Sequence, residues 1–140
     1  MNKYRFLKHT ADAKFQAFGE TLEQAFANAA LATASLMWDW KKIEDNHKQR
    51  IRVEGNDLMQ LLCTFLEEVV YLLETKSFLL HSVENVKIEK GEKKYLLEAV
   101  FKGDFYSEKY EIYGDVKAIT YNEMKIKQGR PATIQVVVDM

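Results

Sequence analysis

The hydrophobic residues change their spacing partway along the chain, and this change limits the folds available to it. Across residues 58–73 they recur every three or four positions, which is typical of a helix with one buried face. From about Val83 onward apolar and charged residues alternate, as in β-strands with one buried face. Both patterns must share one core. We therefore predict an α+β fold with two α-helices packed on a mostly antiparallel β-sheet or pair of sheets.

Two helix starts carry the same capping signal. Thr21 is followed by Gln24, and Asp57 by Gln60, so that each pair can bond backbone N–H groups that the first helical turn leaves free. The first helix is predicted to run from Thr21 through about Asp39, and a polar loop at 41–49 then precedes a short strand at 50–54.

The remaining segments predict strands. Residues 4–7 and 13–17 are strand candidates near the beginning, and a β-hairpin is predicted around a turn at residues 90–93. Three further candidates are 116–121, 123–127 and 133–139, of which the first two must form a tight hairpin because so little separates them. We find neither a linker nor an internal repeat, so residues 1–140 are predicted to form a single domain.

Composition excludes several classes of protein. The chain has 20 basic and 21 acidic residues, a net charge of −1, so it lacks the positive field that unaided nucleic-acid binding needs. An RNA partner is expected to come indirectly, through another protein. The single cysteine, Cys63, forms no internal disulfide, which favours the cytoplasm. The longest apolar runs are too short to cross a membrane, so no membrane partner is expected.

The sequence lacks the familiar motifs of nucleotide hydrolases, dehydrogenases, zinc peptidases and serine hydrolases. Two acids stand out instead. Asp12 lies in a very short connection between two predicted strands, and Asp139 ends the apolar run at 136–138. Such acids are commonly turn formers. Alternatively, carboxylates that converge from two strand ends suit a hard cation such as Ca²⁺ or Mg²⁺.

The second helix and a later strand offer three more candidates. Glu68 borders the predicted buried face of the helix, whereas Glu67 is predicted to face solvent. Either an ion pair or a ligand role is open for Glu68. Lys117 lies among apolar residues and is either an exposed strand lysine or a cation beside the acids. Cys63 is predicted on the side of the helix away from the leucines, as an ordinary helix residue rather than a catalytic one.

Taken together, five segments resemble the archease family in order and almost end to end. They are His9-Thr10-Ala11-Asp12, then 19–26 (GETLEQAF), then Asp57 with Leu61-Leu62 and 65–72 (FLEEVVYL), then 116–121 (VKAITY), and Val137-Val138-Asp139. The chain departs from the usual family pattern at Glu67, at Asn122 and in the histidine-free stretch 104–110.

The resemblance implies a non-enzymatic protein that activates the GTP-dependent RNA-splicing ligase, promoting its guanylation and multiple turnover. It also implies a divalent-metal site, described as calcium, although Mg²⁺ or Mn²⁺ could serve. The matching ligands are Asp12, Asp139 and a main-chain or terminal oxygen of Met140. His9, Glu68 and Lys117 match positions that are partner-binding or close to the metal.

Two other functions remain open at this point. The first is a small metal-dependent hydrolase in which Asp12 and Asp139 hold a cation that activates water. The second is a general protein-interaction or chaperone module, suggested by the alanine-rich first helix and by Trp38 and Trp40 near its end. These tryptophans could equally pack in the core.

Overall fold

A computed structural model describes residues 2–8 and 12–140 of the chain. Within these ranges it has two α-helices and seven β-strands. The helices are α1 (Leu22–Ser35) and α2 (Leu58–Lys76). The strands are β1 (Tyr4–Leu7), β2 (Ala13–Gly19), β3 (His47–Gly55), β4 (Phe78–Lys90), β5 (Tyr95–Phe105), β6 (Ala118–Lys127) and β7 (Ala132–Asp139).

The strands form two antiparallel sheets. Sheet A has four strands in the order β1-β2-β7-β6, and sheet B has three in the order β3-β5-β4. In sheet A the last strand of the chain lies between β2 and β6, so segments that are far apart in sequence become neighbours. The predicted α+β fold, with two helices on antiparallel sheet, is confirmed.

Both helices pack against strands of both sheets. Helix α1 contacts β2 of sheet A and β4 of sheet B, and α2 contacts β6 of sheet A and β3 of sheet B. Phe65 of α2 is central to the core, because its ring lies 6.0 Å from that of Phe26 on α1 and 5.5 Å from that of Phe101 on β5. The alanines of α1 permit this close approach, since Ala25, Ala29 and their neighbours are fully buried.

The capping signals are confirmed. The Thr21 hydroxyl accepts a hydrogen bond from the backbone N–H of Gln24 at 3.1 Å. The side-chain oxygen Oε1 of Gln24 accepts one from the backbone N–H of Glu20 at 2.7 Å. At the second helix the Asp57 carboxylate accepts a hydrogen bond from the backbone N–H of Gln60 at 2.8 Å. These bonds pair N–H groups that have no partner inside the helix.

The end of the first helix was predicted too far along the chain. Helix α1 ends at Ser35, and a short 3-10 turn follows at Trp40–Lys42. The chain leaves the helix so that Trp38 can enter the core, where it is fully buried and its indole N–H donates to the Leu80 carbonyl at 2.9 Å. The loop predicted at 41–49 is also shorter, because β3 begins at His47.

The tight hairpin predicted between 116–121 and 123–127 is wrong. Residues 118–127 form one strand, β6, whose pairing with β7 is irregular between Thr120 and Lys125. Glu123 adopts a left-handed backbone conformation (φ 54°) in this bulge, and Met124 enters the core. The chain therefore continues along β6 through the bulge and does not reverse at a turn.

Cys63, which was predicted to lie away from the leucine stripe of α2, is covered by a second element. It is buried, and its sulfur lies 3.8 Å from the carbonyl oxygen of Ile119 on β6. The leucine face of α2 is therefore not the only covered face, because β6 packs along a second side of the helix. Neither helix in the described ranges is long and apolar enough to cross a membrane.

Candidate functional site

The pairing of β2 with β7 brings Asp12 and Asp139 to the same end of sheet A. Asp12 directly precedes β2, and Asp139 is the last residue of β7. The two strands are antiparallel with Ala13 opposite Val138. Continuing this register by one residue sets Asp12 across from Asp139. Both aspartates are half-buried and thus retain contact with solvent.

Lys117 and Met140 lie at the same end of the sheet. Strand β6 pairs with the other side of β7, with Ala118 opposite Asp139. The backbone amide of Lys117 donates a hydrogen bond to the Asp139 carbonyl oxygen at 2.8 Å. Met140 follows directly and is half-buried, with its side chain packed against the core. Three of the predicted positions thus surround Asp139, and Lys117 itself is exposed.

Alternating burial along β2 keeps these residues in place. Phe15 on β2 lies opposite Val136 on β7, and both are fully buried in the core. A one-residue slip between the strands would move Phe15 to the other face of the sheet, so the register is strongly specified. The position of Asp12 relative to Asp139 follows from this register.

Sequence reasoning missed an ion pair beside the aspartates. Lys14, two residues after Asp12, lies opposite Val137, and its Nζ is 3.0 Å from Oε1 of Glu123. The carbonyl oxygen of Glu123 in turn accepts from the Gln135 side chain at 2.8 Å. The β6 bulge thus places a carboxylate near this end of the sheet. Only the polar alternation of β2 hinted at it, since the left-handed conformation of Glu123 leaves no sequence signal.

A groove between α2 and β6 brings other acids of the helix close to Lys117. A groove of about 210 Å³ between α2 and β6 is lined by Lys117, Glu67, Tyr71 and Glu74, together with apolar residues, but not by Glu68. Glu68 is half-buried and Glu67 is exposed, as predicted. Burial raises the pKa of Glu68, and the neighbouring Glu67 charge raises it further. The acids that line one groove with Lys117 are therefore Glu67 and Glu74.

His9 lies outside the described residues. Within residues 2–8 and 12–140, no group of three or more His, Cys, Asp or Glu side chains has the spacing of a metal site. This end of sheet A has two carboxylates and several backbone carbonyl oxygens. The carbonyl oxygen of Asp139 already accepts a hydrogen bond from the backbone N–H of Lys117. Carboxylate and carbonyl oxygens suit a hard cation, but a Ca²⁺ ion takes six to eight of them. A cation here would need further oxygens from water or from a partner.

Comparison with known proteins identifies the family. The model of the Archease protein family matches residues 4–140. The chain belongs to the archease family. Archease of Pyrobaculum neutrophilum is 41% identical over 98% of this chain and 95% of its own length, and that of Pyrococcus furiosus is 40% identical over 91% of this chain and 90% of its own.

Solved structures of related proteins have the same fold. The solution structure of protein 1598 of Methanobacterium thermoautotrophicum covers 100% of both chains with a TM-score of 0.84 and 30% identity. The crystal structure of an archease of Thermotoga maritima, described as a possible chaperone, covers 96% of this chain and 94% of its own with a TM-score of 0.57. At 16% identity, the Thermotoga protein supports the fold alone.

Proposed function

We propose that this archease is an activating cofactor protein of the GTP-dependent RNA-splicing ligase and has no catalytic activity of its own. It would promote guanylation of the ligase and permit multiple turnover, meeting RNA only through the ligase, in the cytoplasm. Membership of the archease family supports this proposal. The net charge of −1 is consistent with a protein that leaves RNA binding to its partner.

The observation that carries the proposal is the acidic end of sheet A. Asp12 and Asp139 are adjacent, half-buried and supported by a specified register. Half-burial holds their backbone in place while leaving the carboxylates accessible to a partner. A protein of this kind can move a ligase toward its guanylation-competent state only if it binds that state more tightly than the other. A fixed acidic surface that meets a cation or a basic group in one state provides such a difference.

A divalent cation fits this arrangement as a shared ligand. Asp12, Asp139 and a main-chain oxygen of Met140 would hold Ca²⁺, with Mg²⁺ or Mn²⁺ as alternatives. When bound, the cation would supply positive charge for oxygen ligands at the interface with the ligase. Because three protein residues cannot fill the coordination sphere of Ca²⁺, we expect weak binding to the isolated protein, with a dissociation constant of about 0.1 to 1 mM.

The proposal is tested by ligase guanylation measured with and without this protein under limiting divalent metal. Asp12→Asn and Asp139→Asn remove one charge each while keeping side-chain size, and we expect each to reduce the stimulation about tenfold or more. Asp45→Asn is the matched control. Asp45 lies elsewhere and makes an exposed pair with Lys102 at 3.6 Å, so this variant should stimulate normally.

The alternative functions predict other results. Failure of the wild-type protein to stimulate the ligase refutes the cofactor role. Metal-dependent hydrolysis of phosphoesters by the isolated protein, lost in Asp12→Asn, would indicate a hydrolase instead. Protection of unrelated proteins from aggregation that survives both aspartate substitutions would indicate a general chaperone.

A further inference from the structure

A second concave site lies away from the aspartates. Its volume is about 430 Å³, within the usual range for small-molecule sites. It forms where the 3-10 turn at Trp40–Lys42 meets the irregular segment that follows β5. Aromatic and basic side chains dominate its walls: Tyr4, Trp40, Lys41, Lys42, Lys109 and Tyr113. The proposed ligase-activating function uses none of them.

The aromatic rings of this site are fixed by hydrogen bonds at their polar ends. The indole N–H of Trp40 donates to the hydroxyl of Tyr4 at 2.9 Å. The hydroxyl of Tyr113 donates to the carbonyl oxygen of Ser35 at 2.7 Å, yet the residue is 57% exposed. A tyrosine whose hydroxyl is hydrogen-bonded and whose ring is exposed presents a flat apolar face to solvent.

The backbone around these rings is also anchored. The amide of Tyr113 donates to the Met37 carbonyl at 2.9 Å, just beyond the end of α1. The carbonyl of Trp40 lies 2.8 Å from Nδ1 of His81 on β4. Gly114 packs so closely that a Cβ atom there would lie 2.0 Å from the Leu36 carbonyl oxygen. The site is therefore largely formed before any ligand binds, which lowers the entropy cost of binding.

Of the three lysines that line the site, one is in an ion pair with an acid. Lys109 pairs with Glu44 at 2.7 Å. Lys41 and Lys42 make no ion pair within the described ranges, and Lys41 Nζ instead lies 5.7 Å from the centre of the Trp40 ring. Two acids, Asp39 and Glu111, also line the site, and the Asp39 carboxylate accepts a hydrogen bond from the Lys41 backbone amide at 3.1 Å. Lys41 and Lys42 thus line the site together with the fixed aromatic rings, in a wall that carries three lysines and two acids.

We propose that this site binds one nucleotide, with the base stacked on the exposed ring of Tyr113 and beside Trp40, and the phosphate held by Lys41 and Lys42. Aromatic faces next to cations are the combination by which proteins bind single nucleotides of a strand without reading their sequence. A single nucleotide needs only this local charge, so the near-neutral net charge of the chain does not conflict with it. The ligand is either a free nucleotide or the end of a single-stranded RNA whose remaining length is bound by the ligase.

The test is titration calorimetry of the full chain with adenosine and guanosine monophosphates, adenosine alone, inorganic phosphate alone, and a short single-stranded RNA. We expect saturable binding of a monophosphate or of the RNA, with a dissociation constant below about 1 mM, and at least tenfold weaker binding of adenosine or phosphate alone. Whether the monophosphate or the RNA binds more tightly identifies the source of the nucleotide.

Two kinds of variant locate the binding. Tyr113→Leu removes the stacking face and should weaken binding about tenfold, whereas Tyr106→Leu, at a tyrosine that is 48% exposed elsewhere, should leave it unchanged. The double change Lys41→Gln with Lys42→Gln should weaken binding and reduce its salt dependence, and Lys93→Gln in the exposed turn before β5 should do neither. The lysine pair lies at the surface, so it keeps the test decisive if Tyr113→Leu fails to fold.

Three results would overturn the proposal. The first is the absence of saturable binding by both the monophosphates and the RNA. The second is equal binding of phosphate and monophosphate, which would mean that the base makes no contact. The third is an equal loss in the Tyr106→Leu and Tyr113→Leu variants. None of these bears on ligase activation, which is measured separately through Asp12 and Asp139.

Discussion

The hydrogen bond between Tyr110 and Asp104 should stabilise the irregular segment that forms one wall of the aromatic site. Asp104 is a carboxylate near the end of β5 whose side chain is only 12% exposed. Its Oδ2 accepts from the Tyr110 hydroxyl at 2.6 Å, and Oδ1 accepts from the Phe105 amide at 2.9 Å. Tyr110→Phe deletes the shorter of these bonds and leaves the ring in place.

The expected cost at pH 7 follows from these contacts. A hydrogen bond to a charged group contributes about 1.5–3 kcal/mol. Asp104 keeps its bond from Phe105 and a longer one from Asn46 at 3.3 Å, so we expect a loss of about 2 kcal/mol in the free energy of unfolding. The backbone N–H of Glu44 also donates to the Tyr110 hydroxyl, at 3.2 Å. Because Glu44 is exposed, this N–H can donate to water instead in the variant.

The loss should depend on pH in a defined direction. The Tyr110 hydrogen bond holds the pKa of Asp104 below its ordinary 3.8, although burial acts the other way. A carboxyl whose folded-state pKa is lowered adds stability above its unfolded pKa, and this stability is lost as pH falls through the folded-state value. The difference between wild type and variant should therefore shrink to about 1 kcal/mol, the contribution of a neutral hydrogen bond, as the pH falls below 3.8 and through the lowered pKa of folded Asp104.

Urea denaturation of both proteins at several pH values measures this difference, with Tyr106→Phe as the control. Tyr106 is 48% exposed, and its loss of a hydroxyl should change stability by less than about 0.5 kcal/mol. A cost below about 0.5 kcal/mol for Tyr110→Phe at pH 7, or a cost that stays constant with pH, would refute the reasoning.

Three further predictions concern the core. Gly114→Ala should lower the free energy of unfolding by about 1–3 kcal/mol in urea denaturation, because its Cβ would lie 2.0 Å from the Leu36 carbonyl oxygen; an unchanged midpoint would contradict this. Trp38→Phe should cost about 2–4 kcal/mol by thermal denaturation, since it leaves a cavity and deprives the Leu80 carbonyl of its 2.9 Å donor. Burial, first among several causes, raises the pKa of the Cys63 thiol, so the native protein should resist alkylation at pH 8 and react once unfolded in urea; rapid native labelling, followed by mass spectrometry, would show that Cys63 is accessible.

Local signals in the sequence predicted the elements they belong to. The stripe of leucines predicted α2, and the pairs Thr21 with Gln24 and Asp57 with Gln60 located both helix starts. These patterns predict helices correctly because a helix repeats every 3.6 residues. The residues that form its buried face and its first turn are therefore close together in the sequence. The β4–β5 hairpin was predicted for the same reason, from alternation on both sides of a turn.

Features that depend on contacts between distant segments could not be predicted in this way. Residues 116–121 and 123–127 were predicted to form a tight hairpin because so little separates them, whereas the β6 bulge depends on pairing with β7, a distant segment. The burial of Cys63 was not predicted, because the sequence of a helix does not show that a strand covers its second side. The aromatic site was missed because Tyr4, Trp40 and Tyr113 come from three separate segments.

The sequence by itself determined that two helices and alternating strands would share a core, and which acids stand at strand ends. Tertiary structure alone decided that Asp12 and Asp139 are neighbours while Glu67, rather than Glu68, shares a groove with Lys117. The physical reason is that the order of strands in a sheet is set by which buried faces pack together across the whole chain. No stretch of neighbouring residues carries that information.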